Sequence, residues 1–379
     1  MSVRELIRNQ KYQLEIPIGY NGNKRIRHYE TFYGSKKDAV IREARVKIKL
    51  KEGSYIQKTH LTIQDLSEEY LKYQKGILAP KTYLTYAYRM NVINEHLGHI
   101  KLQHLNVKIL ESFYNYLRSD YFSSKGEKLS PTTIQSYYAI INNMLSTAVE
   151  LEYLNYNVNA RIPKPKRAKT NIQCYSPGEV VTLLKCLPQE PLKYQSLILL
   201  ALDLGCRRGE LTGLTWDDID FDERRISINK TTQSVYGKII EKETKTENSN
   251  RYNIVSKTTI NVLKKYKQEQ LIKQMELGAK WIKTNRVFTG LAGGDMHPDS
   301  AGRIFQSIIK RNHLKRITFH GLRHTSVSLM IAKGVPLSII SRKVGHSSIQ
   351  ITDKFYSHFF GEEFKRAADV MDEVFSMAY

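Results

Sequence analysis

Between residues 161 and 169 the chain reads Arg161-Ile162-Pro163-Lys164-Pro165-Lys166-Arg167-Ala168-Lys169, and this stretch constrains the fold more than any other. Two prolines at that spacing remove backbone donors and push the residues before them out of the helical region, so neither a helix nor a sheet interior can run through. Five of its nine side chains are cationic, which keeps it in water. The chain therefore folds as separate bodies on either side of an extended basic linker, in keeping with its 379 residues, more than one ordinary domain needs. Such a linker, through Lys164, Lys166 and Arg167, can follow a phosphate backbone or serve as a solvated hinge.

Ahead of it, two kinds of pattern follow one another. Tyr12-Gln13-Leu14-Glu15-Ile16 alternates apolar and polar, Gly19-Tyr20-Asn21-Gly22 signals a turn, and Arg25 to Phe32 returns as a second strand. Arg25, Arg27 and Tyr29 then share one face, which could lie in a nucleic-acid groove or simply be a solvated basic surface. Ser35 caps a helix with Asp38 three residues on, and Gly53 marks its end. From about 60 to 160 the signals are helical: Thr62 or Asp65 opens one helix and Ala79-Pro80 a second, interrupted near Gly98. Asn106 starts a third and Ser130-Pro131 a fourth. Along the fourth, Ile134, Tyr137, Ile141, Met144, Leu145 and Ala148 recur at the spacing of one buried helical face. Beyond the linker, Ser176-Pro177-Gly178-Glu179 is a helix start with cap, proline and carboxylate in order. The rest is mostly helical except for one β-rich stretch between Arg225 and Val255.

The formal net charge is +22, well above the magnitude of about 2–8 that suits the solubility of a small domain. Residues 1–60 carry 14 basic and 6 acidic side chains, residues 61–160 carry 9 of each, and the remainder 36 and 22. Both ends thus favour a polyanionic partner, nucleic acid first and an anionic membrane surface second. No apolar run of about 18–20 residues predicts a membrane span, and the first residues lack the apolar core of a signal peptide. Cys174, Cys186 and Cys206 have neither a disulfide-framework count nor zinc-ligand spacing. A cytoplasmic protein is expected.

Four patterns in the last domain carry chemistry: Gly205-Cys206-Arg207-Arg208-Gly209-Glu210, His320-Gly321-Leu322-Arg323-His324, Gly345-His346, and Tyr356 within Asp353-Lys354-Phe355-Tyr356-Ser357-His358. On a helix His320 and Arg323 share a face. Arginine offers forked, permanently charged donors to the oxygens of a phosphodiester under attack. Histidine moves protons near neutrality, and a tyrosine phenol, of pKa about 10, becomes a nucleophile where such neighbours stabilise the phenolate. No carboxylate cluster with metal-ligand spacing accompanies them, which disfavours two-metal nuclease chemistry.

In order and spacing this set resembles the tyrosine recombinase (phage-type integrase) family, and the resemblance extends over nearly the whole chain. It implies a mostly α protein with small β elements: an arm-type DNA-binding domain (1–57) of three strands or a hairpin plus a helix, a helical core-binding domain (58–160), the basic linker (161–172), and an α-rich catalytic domain with a small antiparallel sheet (173–379). By the same resemblance Arg207, rather than Arg208, and Arg323 hold the scissile phosphate. His320 assists proton transfer, His346 hydrogen-bonds the phosphate, and Tyr356 forms a 3′-phosphotyrosyl bond. A lysine on a β-hairpin protonates the departing 5′-oxygen; Lys245 is the choice, with Lys242 and Lys238 as alternatives. Cys206 stands where an aliphatic residue is more usual.

The implied reaction needs no cofactor, neither a metal ion nor ATP. Phe364, Ala367, Ala368, Met371, Val374, Phe375 and Ala378 fall on one face of a terminal helix, which packs on its own domain or, as the family implies, on a neighbouring protomer of a tetramer. The partners so implied are double-stranded DNA at core and arm-type sites, with an excisionase or a host DNA-bending protein in addition. The function implied is integration and excision of a mobile element. A type IB topoisomerase, which relaxes DNA without exchanging partners, and a non-catalytic DNA-binding regulator are the alternatives.

Overall fold

The structure is a computed structural model that describes residues 3–21, 24–51, 60–123, 126–166, 173–243 and 250–345, with 348 and 350. It divides into two compact units, Met1–Lys169 and Thr170–Tyr379. Lys245, His346, Tyr356, Arg167, Gly53, the terminal apolar helix expected after Tyr356 and the side chain of Arg25 lie outside the described part. No described helix is long and apolar enough to cross a membrane.

The chain begins with an antiparallel sheet in the order β1 (Val3–Ile7), β2 (Lys11–Asn21), β3 (Lys24–Tyr33), followed by α1 (Lys36–Lys51). The alternation read from the sequence is what folds: Tyr12, Leu14 and Ile16 point inward and pack on Ala39 and Val46 of α1. Ser35 Oγ accepts the Asp38 amide at 3.2 Å, closing the first turn of α1. One expectation needs correction. Gly19, Tyr20 and Asn21, expected in a turn, are strand: β2 continues past a register shift between Pro17 and Gly19 to Asn21, which pairs with Lys24. β1 gave no alternating signal, since four of its five residues are exposed and it is held chiefly by ladder bonds to β2. Arg27, read from the sequence as part of a basic face with Arg25 and Tyr29, is ion-paired to Glu15 on the adjacent strand.

Four helices follow: α2 (Ile63–Gln74), α3 (Pro80–Leu97), α4 (Val107–Ser119) and α5 (Pro131–Glu150). Each expected start is where the side chains place it. Thr62 and Asp65 cap α2 reciprocally, Asn106 Oδ1 accepts the Ile109 amide at 3.1 Å, and Ser130 Oγ accepts that of Thr133 at 3.2 Å. Leu66, Met90, Ile93, Leu110, Phe113, Tyr137, Ile141 and Leu145 form their common core. At its edge Tyr114 Oη donates to Oδ1 of the fully buried Asn159 at 2.6 Å, and Tyr138 Oη donates to Ile162 O at 3.1 Å. These bonds pin the turn Val158–Arg161, from which the basic stretch emerges with Lys164 and Lys166 exposed.

The second unit runs α6 (Pro177–Cys186), α7 (Leu192–Leu204), α8 (Arg208–Gly213), β4 (Ile219–Asp220), β5 (Arg225–Ile228), β6 (Lys230–Val235), β7 (Lys238–Glu243), β8 (Arg251–Ile254), α9 (Lys257–Leu277), α10 (Pro298–Arg311), α11 (Phe319–Ala332) and α12 (Leu337–Val344). Leu197, Ile198, Leu200, Ala201 and Leu204 of the apolar helix α7 are buried in its core. The single β-rich stretch read from the sequence resolves into two sheets. β8 pairs with β5, completing the order β4-β5-β8, so β6 and β7 form a separate hairpin inserted between paired strands.

Replacing Tyr114 by Phe strands the buried Asn159 carbonyl while leaving the packing intact. The Tyr114→Phe chain should lose about 1–3 kcal/mol of unfolding free energy, measured by urea titration followed by far-UV circular dichroism.

Candidate active site

Helix α7 closes on Gly205 in the left-handed conformation, and the chain turns through the buried Cys206 into Arg207, the cap residue of α8. Arginine has no acceptor with which to cap a helix. Glu210, one turn on, reaches back instead: its Oε2 accepts the Arg207 amide and its Oε1 the Arg207 guanidinium, each at 2.9 Å. The same carboxylate accepts Arg251 Nη2 of β8 at 2.8 Å, and both of those partners are nearly inaccessible to solvent. Burial alone would raise the Glu210 carboxyl; Arg251, then Arg207, more than offset it and hold the group below its ordinary value.

Three arginines converge on the end of α12. Arg251 Nε donates to Lys343 O at 2.9 Å, Arg323 Nη1 to Val344 O at 2.7 Å, and Arg207 Nη2 to Gly345 O at 3.0 Å. The final carbonyls of a helix have no intrahelical donors and carry its negative dipole end, so guanidinium groups satisfy both requirements. Gly345 is required here: its φ is +70°, and a Cβ on it would sit 2.7 Å from Arg251 Nη1. Arg323, in α11, is buried and also donates to Gly205 O at 2.8 Å. Burial and the charge of Arg207 pull its guanidinium down to about 10, so it stays charged at neutral pH.

His320 stands one turn before Arg323 on α11 and keeps a solvent-exposed face. Partial loss of water and the charges of Arg323, Arg207 and Arg208 hold its imidazole below the ordinary value. His324 meets it edge-on, with ring centroids 4.8 Å apart, and is pushed by burial, His320 and Arg323 down to about 4. Arg208 departs from this group: its guanidinium pairs with Asp299 of α10 at 2.7 Å, in the wall of an open cleft of about 1010 Å³ also lined by Arg303, Arg316, Thr318 and His320.

Among the sequence-derived residues, the described part therefore places Arg207, His320 and Arg323 on adjoining elements and sets Arg208 aside. Among the described residues Glu210 supplies a carboxylate to Arg207 and Arg251, while Arg323 donates to backbone carbonyls. The cluster holds an excess of positive charge, facing water at Arg207 and His320, and is suited to a bound anion such as a phosphodiester. Arg251 as a buried partner and Glu210 as the hub were not anticipated. The carboxylate three residues after the cap of α8 was the legible signal for the second; nothing local signalled the first.

Removing the Glu210 charge takes from the buried Arg251 the carboxylate that it is ion-paired to. Glu210→Gln should cost about 3–5 kcal/mol, read from guanidinium titration. His324, neutral when folded, binds its proton near pH 6.5 once unfolded. The unfolded state then takes up protons that the folded state refuses, so stability falls as pH drops from about 6.5 towards about 4. Denaturation midpoints measured across that window should decline less steeply for His324→Asn.

A family model for the phage integrase family matches residues 175–363, and one for the phage integrase SAM-like domain matches residues 62–162. The chain is 26% identical to a XerC-like tyrosine recombinase of Caldanaerobacter subterraneus subsp. tengcongensis, over 96% of both chains. It is 24% identical to the ICEBs1 integrase of Bacillus subtilis, over 99% of this chain and all of that one. Its fold is similar to the Tn1549 transposon integrase solved with a circular intermediate DNA, with a TM-score of 0.69 at 18% identity, covering 82% of this chain and 99% of the other. A lambda integrase dimer bound to a core site gives 0.58 at 17% identity, covering 93% and 94%. With both matched regions in the expected order and relatives aligned from end to end, the chain belongs to the tyrosine recombinase (phage-type integrase) family, enzymes that cut and rejoin DNA at specific sites.

Proposed function

We propose that the chain is the integrase of a mobile element, which breaks and rejoins double-stranded DNA through a phosphotyrosyl intermediate for integration and excision. The observation that carries this reading is the convergence of Arg207, Arg251 and Arg323 on the end of α12, with His320 on the same helix as Arg323. Arg207 keeps nearly half of its side chain exposed and offers its fork to a phosphate, while Arg323 adds charge from beneath. As the non-bridging oxygens gain charge in the transition state, fixed guanidinium groups stabilise it without reorganisation. His320, neutral at pH 7 on its depressed value, can accept a proton from the attacking phenol.

Tyr356 is assigned as the nucleophile, Lys245 as the acid that protonates the leaving 5′-oxygen, and His346 as a further phosphate donor. Their places in the family motif support these roles, and Gly345, whose carbonyl Arg207 holds, directly precedes His346. The covalent bond conserves the phosphodiester, so a second strand's 5′-hydroxyl reverses the step.

The same reading divides the chain into an arm-site domain (1–57), a core-binding domain (58–160), a linker (161–172) and a catalytic domain (173–379). Arg25 and Arg27 would face arm DNA, with Arg27 sharing its charge with Glu15, and Lys164, Lys166 and Arg167 would follow the backbone of core DNA. A tetramer joined through the C-terminal helix, an excisionase or host bending protein as partner, and action on DNA in the cytoplasm complete it. The tetrameric lambda integrase solved on a Holliday junction supports the assembly.

The test is a nicked suicide substrate carrying the element's core site. Wild type should form a covalent adduct and then a strand-transfer product. Tyr356→Phe should form none, and Arg323→Ala should slow adduct formation by about 100-fold or more. An undiminished Tyr356→Phe adduct would overturn the assignment, and relaxation of supercoiled DNA without a joined product would favour the topoisomerase reading. Adduct formation should also fall as pH drops through the value of His320, which lies below 6.5.

A further inference from the structure

Arg286 belongs to none of the four sequence patterns, yet it is buried and holds three separate segments at once. Nη1 donates to Gly213 O at the end of α8, Nη2 to the Glu241 carboxylate on β7, and Nε to Asp295 Oδ1 at 3.1 Å. Two of these acceptors belong to elements that matter for the reaction. Helix α8 is headed by Arg207, and β7 leads directly towards Lys245, four residues beyond Glu241 in the sequence.

The two strands of the hairpin are tied to the body very differently. β6 meets α8 backbone to backbone: a Cβ on Gly209 would lie 2.5 Å from both Thr231 Oγ1 and Thr232 O. Thr232, buried, is also 2.6 Å from Thr212 Oγ1. Glu241 is the residue paired with Thr232 across the hairpin. Among the described residues its contact with Arg286 is the only side-chain hydrogen bond that ties β7 to the body; Lys238 is exposed and Ile240 largely so. A buried arginine thus directs one arm of its fork at a half-exposed carboxylate on the strand that is otherwise least anchored.

We propose that Arg286 is a positioning residue for the leaving-group acid: by holding Glu241 it fixes β7, the strand from which the chain runs on to the chosen lysine, to the end of α8. The inference rests on the recombinase reading and on a hairpin lysine as acid. In the step concerned, the Tyr356 oxygen bonds to phosphorus as the bond to the 5′-oxygen breaks, and the lysine ammonium gives its proton to that oxygen. With sulfur in the 5′-bridging position the thiolate departs without a proton, so a fault in the acid no longer limits the rate.

Adduct formation is therefore compared for wild type, Glu241→Gln and Arg286→Met on suicide DNA with either oxygen or sulfur at the scissile 5′ position. Glu241→Gln is the primary variant because it removes a half-exposed charge and leaves Arg286 its other two acceptors; unchanged thermal melting verifies its fold. On oxygen it should be slower by about tenfold, and on sulfur it should match wild type within about twofold. Equal losses on both substrates would mean a general structural role and overturn the proposal, as would full activity on oxygen. If wild type itself forms no adduct on either substrate, it is the recombinase reading that fails.

Discussion

The second unit depends on one buried carboxylate. Glu210 accepts from Arg207 and Arg251 and caps the helix on which it stands, so a single side chain joins α8 to β8 and orients the guanidinium exposed to solvent. A lone buried carboxylate would be costly, and so would the buried Arg251 without it. Together they are tolerable. Glu210 is bonded to two of the three guanidiniums, and the one that stays half exposed, Arg207, is left within reach of an anion.

The end of α12 does the complementary work. Lys343, Val344 and Gly345 each give a carbonyl to a different arginine, from β8, α11 and α8 in turn. Three elements distant in sequence are thereby indexed to consecutive residues of a fourth. The unsatisfied carbonyls of a helix terminus suit this role because they are spaced by helical geometry and biased towards cations. The spacing between arginines then follows from backbone geometry rather than from flexible side chains, which is what preorganisation for a phosphate requires.

Much of this was legible before any coordinates. The capped helix starts at Thr62, Asn106, Ser130 and Ser176 and the inward alternation of Tyr12, Leu14 and Ile16 all follow from interactions within a few residues. His320 and Arg323 were readable as a pair because helical periodicity places them together. The first strand was not readable, since its exposed side chains carry no alternation and its backbone partners lie elsewhere. Nor was the break of the β-rich stretch into two sheets, because the choice of β8 as partner for β5 is made by long-range pairing. The pairing of Arg27 with Glu15 was hidden for the same reason: the two are adjacent only across the ladder.

The sequence by itself determined the kinds of element, their order and the chemical character of the site, since these depend on local propensity, capping and the types of side chain in each motif. Tertiary structure decided which of the two adjacent arginines turns towards the cluster and which towards Asp299, and that Glu210 is the shared partner. It also revealed Arg251 and Arg286, which no motif marked. The physical reason is that charge pairing in a buried site is set by distance through space. Arg207 lies 44 residues from Arg251 and more than 100 from Arg323 along the chain, but all three meet at the end of one short helix.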